Sequence, residues 1–328
     1  MSVTAGVLVV VSAFVHAGWN LLGKRDSSNG AYFCIAAATG ALVILPLVVL
    51  WNEAVWRMPT AVWWYLIPTG LFQGLYFTGL SGAYRSGDLS VAYPVARAFP
   101  VLLVPLASAL LGIGEGATIL ALGGMVAAPF LARPLNALRG MVVVTVGLLV
   151  IPQRRLLHLS ASQLGGTWML YAFLAGLGTT GYSVVDDTAL SLYRSELGFA
   201  ARSTEEAAST LAAVQAPIIY AAFQSLATAV VLAIVGIIKL GPAGFSSELR
   251  NTPLRSAVAA GIAIVAAYGL ILIAYGFARD VSYVVAFRQL SLPLGTLLGA
   301  VLLGEKVNPA RLAGTALIIA GLVLVSLG

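Results

Sequence analysis

The chain's 328 residues are 60% hydrophobic and only 9% charged, with a mean hydropathy of +0.97, which is more apolar surface than one water-soluble core of this length can hide. Lipid has to serve as solvent, so the formal charge of +6, which in a soluble chain would point to nucleic acid, is read as the Lys and Arg between apolar runs that set membrane orientation. Cys34 is the single cysteine and there are two histidines, His16 and His158, so an intramolecular disulfide is excluded, no metal centre or cofactor is expected, and an intramembrane enzyme lacks a nucleophile–base pair.

In chain order, Met1 to Leu22 is apolar, with no Lys or Arg ahead of it and no cleavage site before a polar region, and it reads as a retained first span. Apolar runs then recur at about 3–24, 31–51, 61–84, 89–112, 117–151, 165–192, 211–238, 254–278, 281–303 and 309–327. Apart from the interrupted run 117–151, each is long enough to supply the ~20 residues that cross a ~30 Å hydrocarbon layer. They predict an all-α integral membrane protein of ten transmembrane helices. Thr252-Pro253 and Asn308-Pro309 put a capping side chain before a proline at the first helical position, and Asp88 and Asp280 are expected to cap helices four and nine. The fifth run is interrupted by Arg133, Pro134 and Arg139, and its second piece, Met141 to Ile151, reads as a continuation or an interfacial segment. The polar connection Arg194 to Ser209 carries a capping-box-like Ser203-Thr204-Glu205-Glu206. Odd-numbered connections are richer in Lys and Arg than even ones, which places both termini outside the cytoplasm.

An internal repeat runs through these elements. Tyr76, Asp88 and Ser90 pair with Tyr268, Asp280 and Ser282 at an offset of 192, Gly18-Trp19-Asn20 pairs with Gly181-Tyr182-Ser183 at 163, and Gly112 to Glu115 answers Leu302 to Glu305. The expected units are 1–152 and 153–328, five spans each. Five is odd, so the second unit would enter the membrane inverted, which is the plan of secondary transporters with a midplane site between the halves.

Three motifs carry a family resemblance: His16-Ala17-Gly18-Trp19-Asn20 with Lys24; Gly87-Asp88-Leu89-Ser90-Val91-Ala92-Tyr93-Pro94-Val95-Ala96-Arg97; and Leu303-Gly304-Glu305-Lys306. With them the chain resembles EamA-type members of the drug/metabolite transporter superfamily over nearly its whole length, departing from the pattern at 117–151. The resemblance implies a 5+5 inverted repeat around a central cavity and, against the charge count, both termini in the cytoplasm. The location it implies is multi-pass, in a bacterial inner (plasma) membrane.

Arg97 and Arg288 each lie eight or nine residues inside a span, about 12–14 Å deep at 1.5 Å per residue. A charge at that depth costs ~3 to more than 10 kcal/mol unless it meets water, an anion or a partner. Their donor forks suit a carboxylate or phosphate on a substrate. The alternative is a guanidinium pinned to helix-end carbonyls or to a buried acid. Asp186 and Asp187 stand late in the sixth span, with Lys24 at the position in the first half that matches Asp187. Neighbouring side chains diverge by about 100° on a helix, so at most one aspartate faces a cavity squarely, where it could carry a coupling proton; the alternative puts both at the interface where the helix emerges. His16, four residues from Asn20 and beside Trp19, is a further coupling or gating candidate. Tyr76, Tyr93, Tyr182 and Tyr268 offer flat walls with hydroxyl tips.

Gly18 to Arg25 imitates a phosphate loop but has Arg25 where Ser or Thr must hold magnesium, and Gly176 to Gly181 spells the dinucleotide fingerprint inside a span. Small residues there, as in Gly70 with Gly74 and Gly295 with Gly299, suit close helix packing instead. Pro94, Pro100, Pro105 and Pro293 bend the helices that carry the deep arginines. The expected function is a gradient-driven exporter of a small polar or amphipathic metabolite with a negative group. Its partners would be that substrate, membrane lipid and, as a candidate coupling ion, protons. A lipid-carrier flippase and an uptake permease are the alternatives.

Overall fold

The computed structural model describes residues 3–26, 29–110, 135–153, 166–197, 211–276 and 290–326. Among them there is no strand. The helices are α1 (Val3–Asp26), α2 (Gly30–Leu50), α3 (Asn52–Trp56), α4 (Thr60–Ser86), α5 (Leu89–Leu110), α6 (Leu135–Val150), α7 (Thr167–Glu196), α8 (Leu211–Asn251), α9 (Leu254–Gly276), α10 (Ser291–Leu302) and α11 (Pro309–Ser326). Four segments among the described residues are long and apolar enough to cross a bilayer: Gly6–Asp26, Gly30–Leu50, Val214–Asn251 and Leu254–Ile271. Their outward faces are studded with exposed Leu, Val and Ile, and Trp56 and Trp64 stand exposed near one end of α4, as interfacial tryptophans do. The protein is membrane-embedded.

Small residues decide which helices meet, because helix association in lipid relies on close packing rather than on a hydrophobic force. The closest pairing is antiparallel, α4 along α7. A Cβ on Gly79 would stand 2.6 Å from Ala175 N, and one on Gly178 would stand 2.5 Å from Tyr76 N and 2.6 Å from Phe72 O. The glycines that spell a dinucleotide fingerprint are therefore packing residues. Gly70 and Gly74 turn to Ala227 and Val231 on α8, and Gly295 turns to Tyr93. The chain's second piece of the fifth run belongs to α6, which lies antiparallel along α11, with Gly140 against Gly321 and Gly147 against Gly314. Further contacts join α1 to α9 and α10, α2 to α8 and α9, α8 to α4, and α5 to α7 and α10.

Asn308 caps α11 as expected, accepting from Arg311 N at 2.9 Å. Thr252 instead turns back, its hydroxyl donating to Glu248 O at 2.8 Å and closing α8 rather than opening α9. At Gly241, with φ 71°, α8 kinks before Pro242. This left-handed turn needs glycine. The segments around Ser203, His158, Asp280 and Arg288 lie outside the described residues.

Candidate functional site

The three motifs of the sequence converge at the corner where α4 gives way to α5. The Lys24 ammonium, from the last turn of α1, donates to the carbonyls of Tyr84 and, at 2.6 Å, Gly87. It satisfies the end of α4, where a cation also suits the helix dipole. Lys24 is thus a clamp on a helix terminus. One turn earlier, Asn20 accepts from the Tyr84 hydroxyl at 2.5 Å and donates to His16 O at 2.7 Å.

On the other side of the corner, α10 ends in a turn at Gly304, with φ 68°, and the Glu305 N–H returns to Gly299 O at 3.1 Å. That turn aims the Glu305 carboxylate at the start of α5, where it accepts from Leu89 N at 2.6 Å and Ser90 N at 2.9 Å. Gly299 makes the room, since a Cβ there would stand 2.7 Å from Glu305 Oε2. Asp88, expected to cap this helix with its side chain, instead meets Arg311 at 2.5 Å, and Arg311 also donates to Ser90 Oγ at 3.1 Å. The correction has a simple cause: a carboxylate with two oxygens, delivered from another helix, takes both N–H groups and leaves Asp88 to the cation beside it. Glu305→Gln keeps only one acceptor for these two donors. It should cost about 1–2 kcal/mol, read as a lower thermal midpoint in detergent, whereas exposed Lys306→Gln should leave the midpoint unmoved.

Beyond this corner lies a group of aromatic side chains. Trp19 Nε1 donates to His16 Nδ1 at 3.1 Å, and the His16 ring stands 5.1 Å from Trp19 edge-on and 6.1 Å from Tyr93. Tyr93 donates to Ser291 Oγ on α10 at 2.9 Å. Tyr76 and Tyr182, from α4 and α7, meet edge-to-face at 6.0 Å. Arg97, partly buried on α5, lies within electrostatic reach of Tyr76 and Tyr84. Among the described residues Arg97 forms no ion pair and no hydrogen bond. It stands eight residues after Leu89, about 12 Å along its helix. Tyr76 and Tyr84 thus stand near one guanidinium, with Tyr93 one turn before it on the same helix.

A second polar group sits between α4, α7 and α8. Asp186 Oδ1 accepts from Thr69 Oγ1 at 2.6 Å and from the Tyr220 hydroxyl at 2.8 Å, while Oδ2 accepts from Gln224 Nε2. Gln224 Nε2 also reaches Thr69 Oγ1 at 3.0 Å, and Thr228 donates to Gln73 Oε1 at 2.9 Å. Asp187 is exposed on the other face of α7, so the two aspartates divide as the helical geometry requires. Tyr268, 38% exposed, lies within electrostatic reach of Tyr220 and so belongs with this group.

No protein-family model and no curated protein matches the chain. A solved structure, described only as the crystal structure of a protein, matches over 98% of this chain and 97% of its own, at 19% identity and a TM-score of 0.55. The likeness is one of fold.

Thr69, Gln73, Tyr220, Gln224 and Thr228 were not singled out from the sequence. A usable signal exists: Tyr220, Gln224 and Thr228 recur every fourth residue and Thr69 and Gln73 are likewise four apart, which puts each set on one helical face.

Proposed function

We propose that the chain is a secondary transporter, working by alternating access in a bacterial inner membrane, that exports a small polar or amphipathic metabolite bearing a negative group. The observation that carries this reading is Arg97: a partly buried guanidinium about 12 Å into its helix, among tyrosine rings and with no acidic partner among the described residues. A charge held so deep needs an anion or water, and its planar fork fits a carboxylate or phosphate. Arg288 is assigned the same task from the second half. Trp19, Asn20, Tyr76, Tyr93 and Tyr182 form the walls.

The packing supports the 5+5 reading. Take α1, α2, α4, α5 and α6 as the first half and α7 to α11 as the second. Exchanging counterparts turns the α4–α7 contact into α9–α1, α4–α8 into α9–α2 and α5–α7 into α10–α1, and leaves α2–α8, α5–α10 and α6–α11 as they are. Each of those contacts is present. Asn308 Nδ2, ahead of α11, donates to Gln153 O just after α6 at 3.2 Å, and Arg311 holds Asp88 just before α5. The start of α5 and the end of α6 therefore share one end of the bundle, as an out-and-back pair of crossings demands.

Counterflow in proteoliposomes, run with a panel of small carboxylates, zwitterions, phosphates and their neutral isosteres, tests the proposal. Uptake confined to compounds with an anionic group is the expected result. Flux of the neutral isosteres alone, or of nothing in the panel, would overturn it.

A further inference from the structure

We infer that Asp186 is the proton-binding group of the transport cycle and that Tyr220, Thr69 and Gln224 are the side chains that rearrange when it is protonated; the inference rests on the transporter reading above. The three donors are buried, Thr69 at 0%, Tyr220 at 1% and Gln224 at 9% exposure, and Asp186 is partly buried between them. No cation sits among those partners. A structural buried carboxylate is ordinarily paired with a cation; this one is held by neutral groups alone, which leaves its charge free to change.

The two oxygens are not equivalent. Oδ2 faces the Gln224 amide nitrogen, which only donates, so a proton there would set N–H against O–H. Oδ1 faces two hydroxyls, and a hydroxyl can turn to accept. The proton therefore binds at Oδ1. One O–H bond forms there, the hydrogen bond from Tyr220 or Thr69 to that oxygen is given up, and the same hydroxyl accepts from the new O–H. Loss of the proton to water reverses the exchange. Because Thr69 is on α4 and Tyr220 on α8, the exchange turns a charge-assisted hydrogen bond between two of the three helices into a weaker neutral one, and back.

The surroundings hold few groups that could compete. α4 presents Thr69 and Gln73 to this seam, with Tyr65 one turn away from Thr69, and α8 presents Tyr220, Gln224 and Thr228. Tyr268 of α9 stands beyond Tyr220. On α7 itself, Asp187 is exposed, and Tyr182 lies four residues before Asp186 in contact with Tyr76. Arg97 of α5 lies within electrostatic reach of Tyr76. Tyr182 thus joins the proton group to the proposed substrate wall by one turn of helix, about 6 Å.

Infrared difference spectroscopy of the purified protein in nanodiscs, titrated from pH ~5 to ~9, reads the proton without any substrate. The wild type should show a protonated-carboxyl band that titrates. That band should vanish in Asp186→Asn, persist in Asp187→Asn and shift its midpoint in Tyr220→Phe, a change that removes one donor and keeps the ring. Absence of a titrating band in the wild type, or its survival in Asp186→Asn, overturns the inference while leaving the Arg97 site standing. Counterflow failing for every compound, with the band intact, overturns the transporter reading instead.

Discussion

Arg97→Ala is expected to lower counterflow of an anionic substrate by about 100-fold or more, without weakening the fold. Charge-assisted hydrogen bonds contribute about 1.5–3 kcal/mol each, and a bidentate fork makes two. Losing them amounts to about 3–6 kcal/mol, where each 1.4 kcal/mol is tenfold. Structural arginines behave otherwise. Removing one member of a buried ion pair strands its partner and costs about 3–5 kcal/mol of stability. Arg97 has no such partner among the described residues, so the empty protein should keep its thermal midpoint or gain a little, as groups kept for function rather than stability do. Arg97→Lys retains the charge and loses the fork, and should fall between wild type and Ala. Flux and thermal midpoint measured on the same preparations check this directly. A large drop in the midpoint of Arg97→Ala would make the residue a structural one.

Gly178→Leu is expected to have the largest effect on the scaffold. The atoms that a Cβ would meet are Tyr76 N at 2.5 Å and Phe72 O at 2.6 Å, both main-chain, so no flexible side chain can give way. The α4–α7 pair would have to part. Overpacking of this kind costs about 1–3 kcal/mol for small additions and more for large ones, so alanine should lower stability by about 1–2 kcal/mol and leucine by more than 3. Gly18 is the control: a Cβ there meets nothing within 4 Å. In mid-helix, Gly18→Ala should be neutral or stabilising by up to about 1 kcal/mol. Thermal unfolding in detergent ranks the three variants, and equal midpoints for Gly178→Leu and Gly18→Ala would contradict the close contact.

Hydrophobic run length made the scaffold legible, because a bilayer-crossing segment needs so many apolar residues in a row. The runs at 3–24, 31–51, 61–84 and 211–238 correspond to α1, α2, α4 and the part of α8 before Gly241. What run length does not encode is which polar group meets which. Asp88 was expected to cap α5 because it precedes it; the group that does so, Glu305, lies 216 residues from Leu89. Lys24 was a gating candidate on its position, and its clamp on the Tyr84 and Gly87 carbonyls is visible only once α1 is laid beside α4. The Asp186 seam was half legible. The carboxylate drew attention as a charge in a span, but its donors are neutral residues scattered across α4 and α8, 155 residues apart in the case of Gln224 and Thr69.

The account turns on recognition of a negative group by one guanidinium. Equilibrium binding of a matched pair, a carboxylate selected by counterflow and its uncharged amide, to the wild type and to Arg97→Ala isolates that contact. The wild type should prefer the carboxylate by about 100-fold, and Arg97→Ala should bind the two alike. A preference that survives undiminished in Arg97→Ala would place the anion elsewhere and contradict the account.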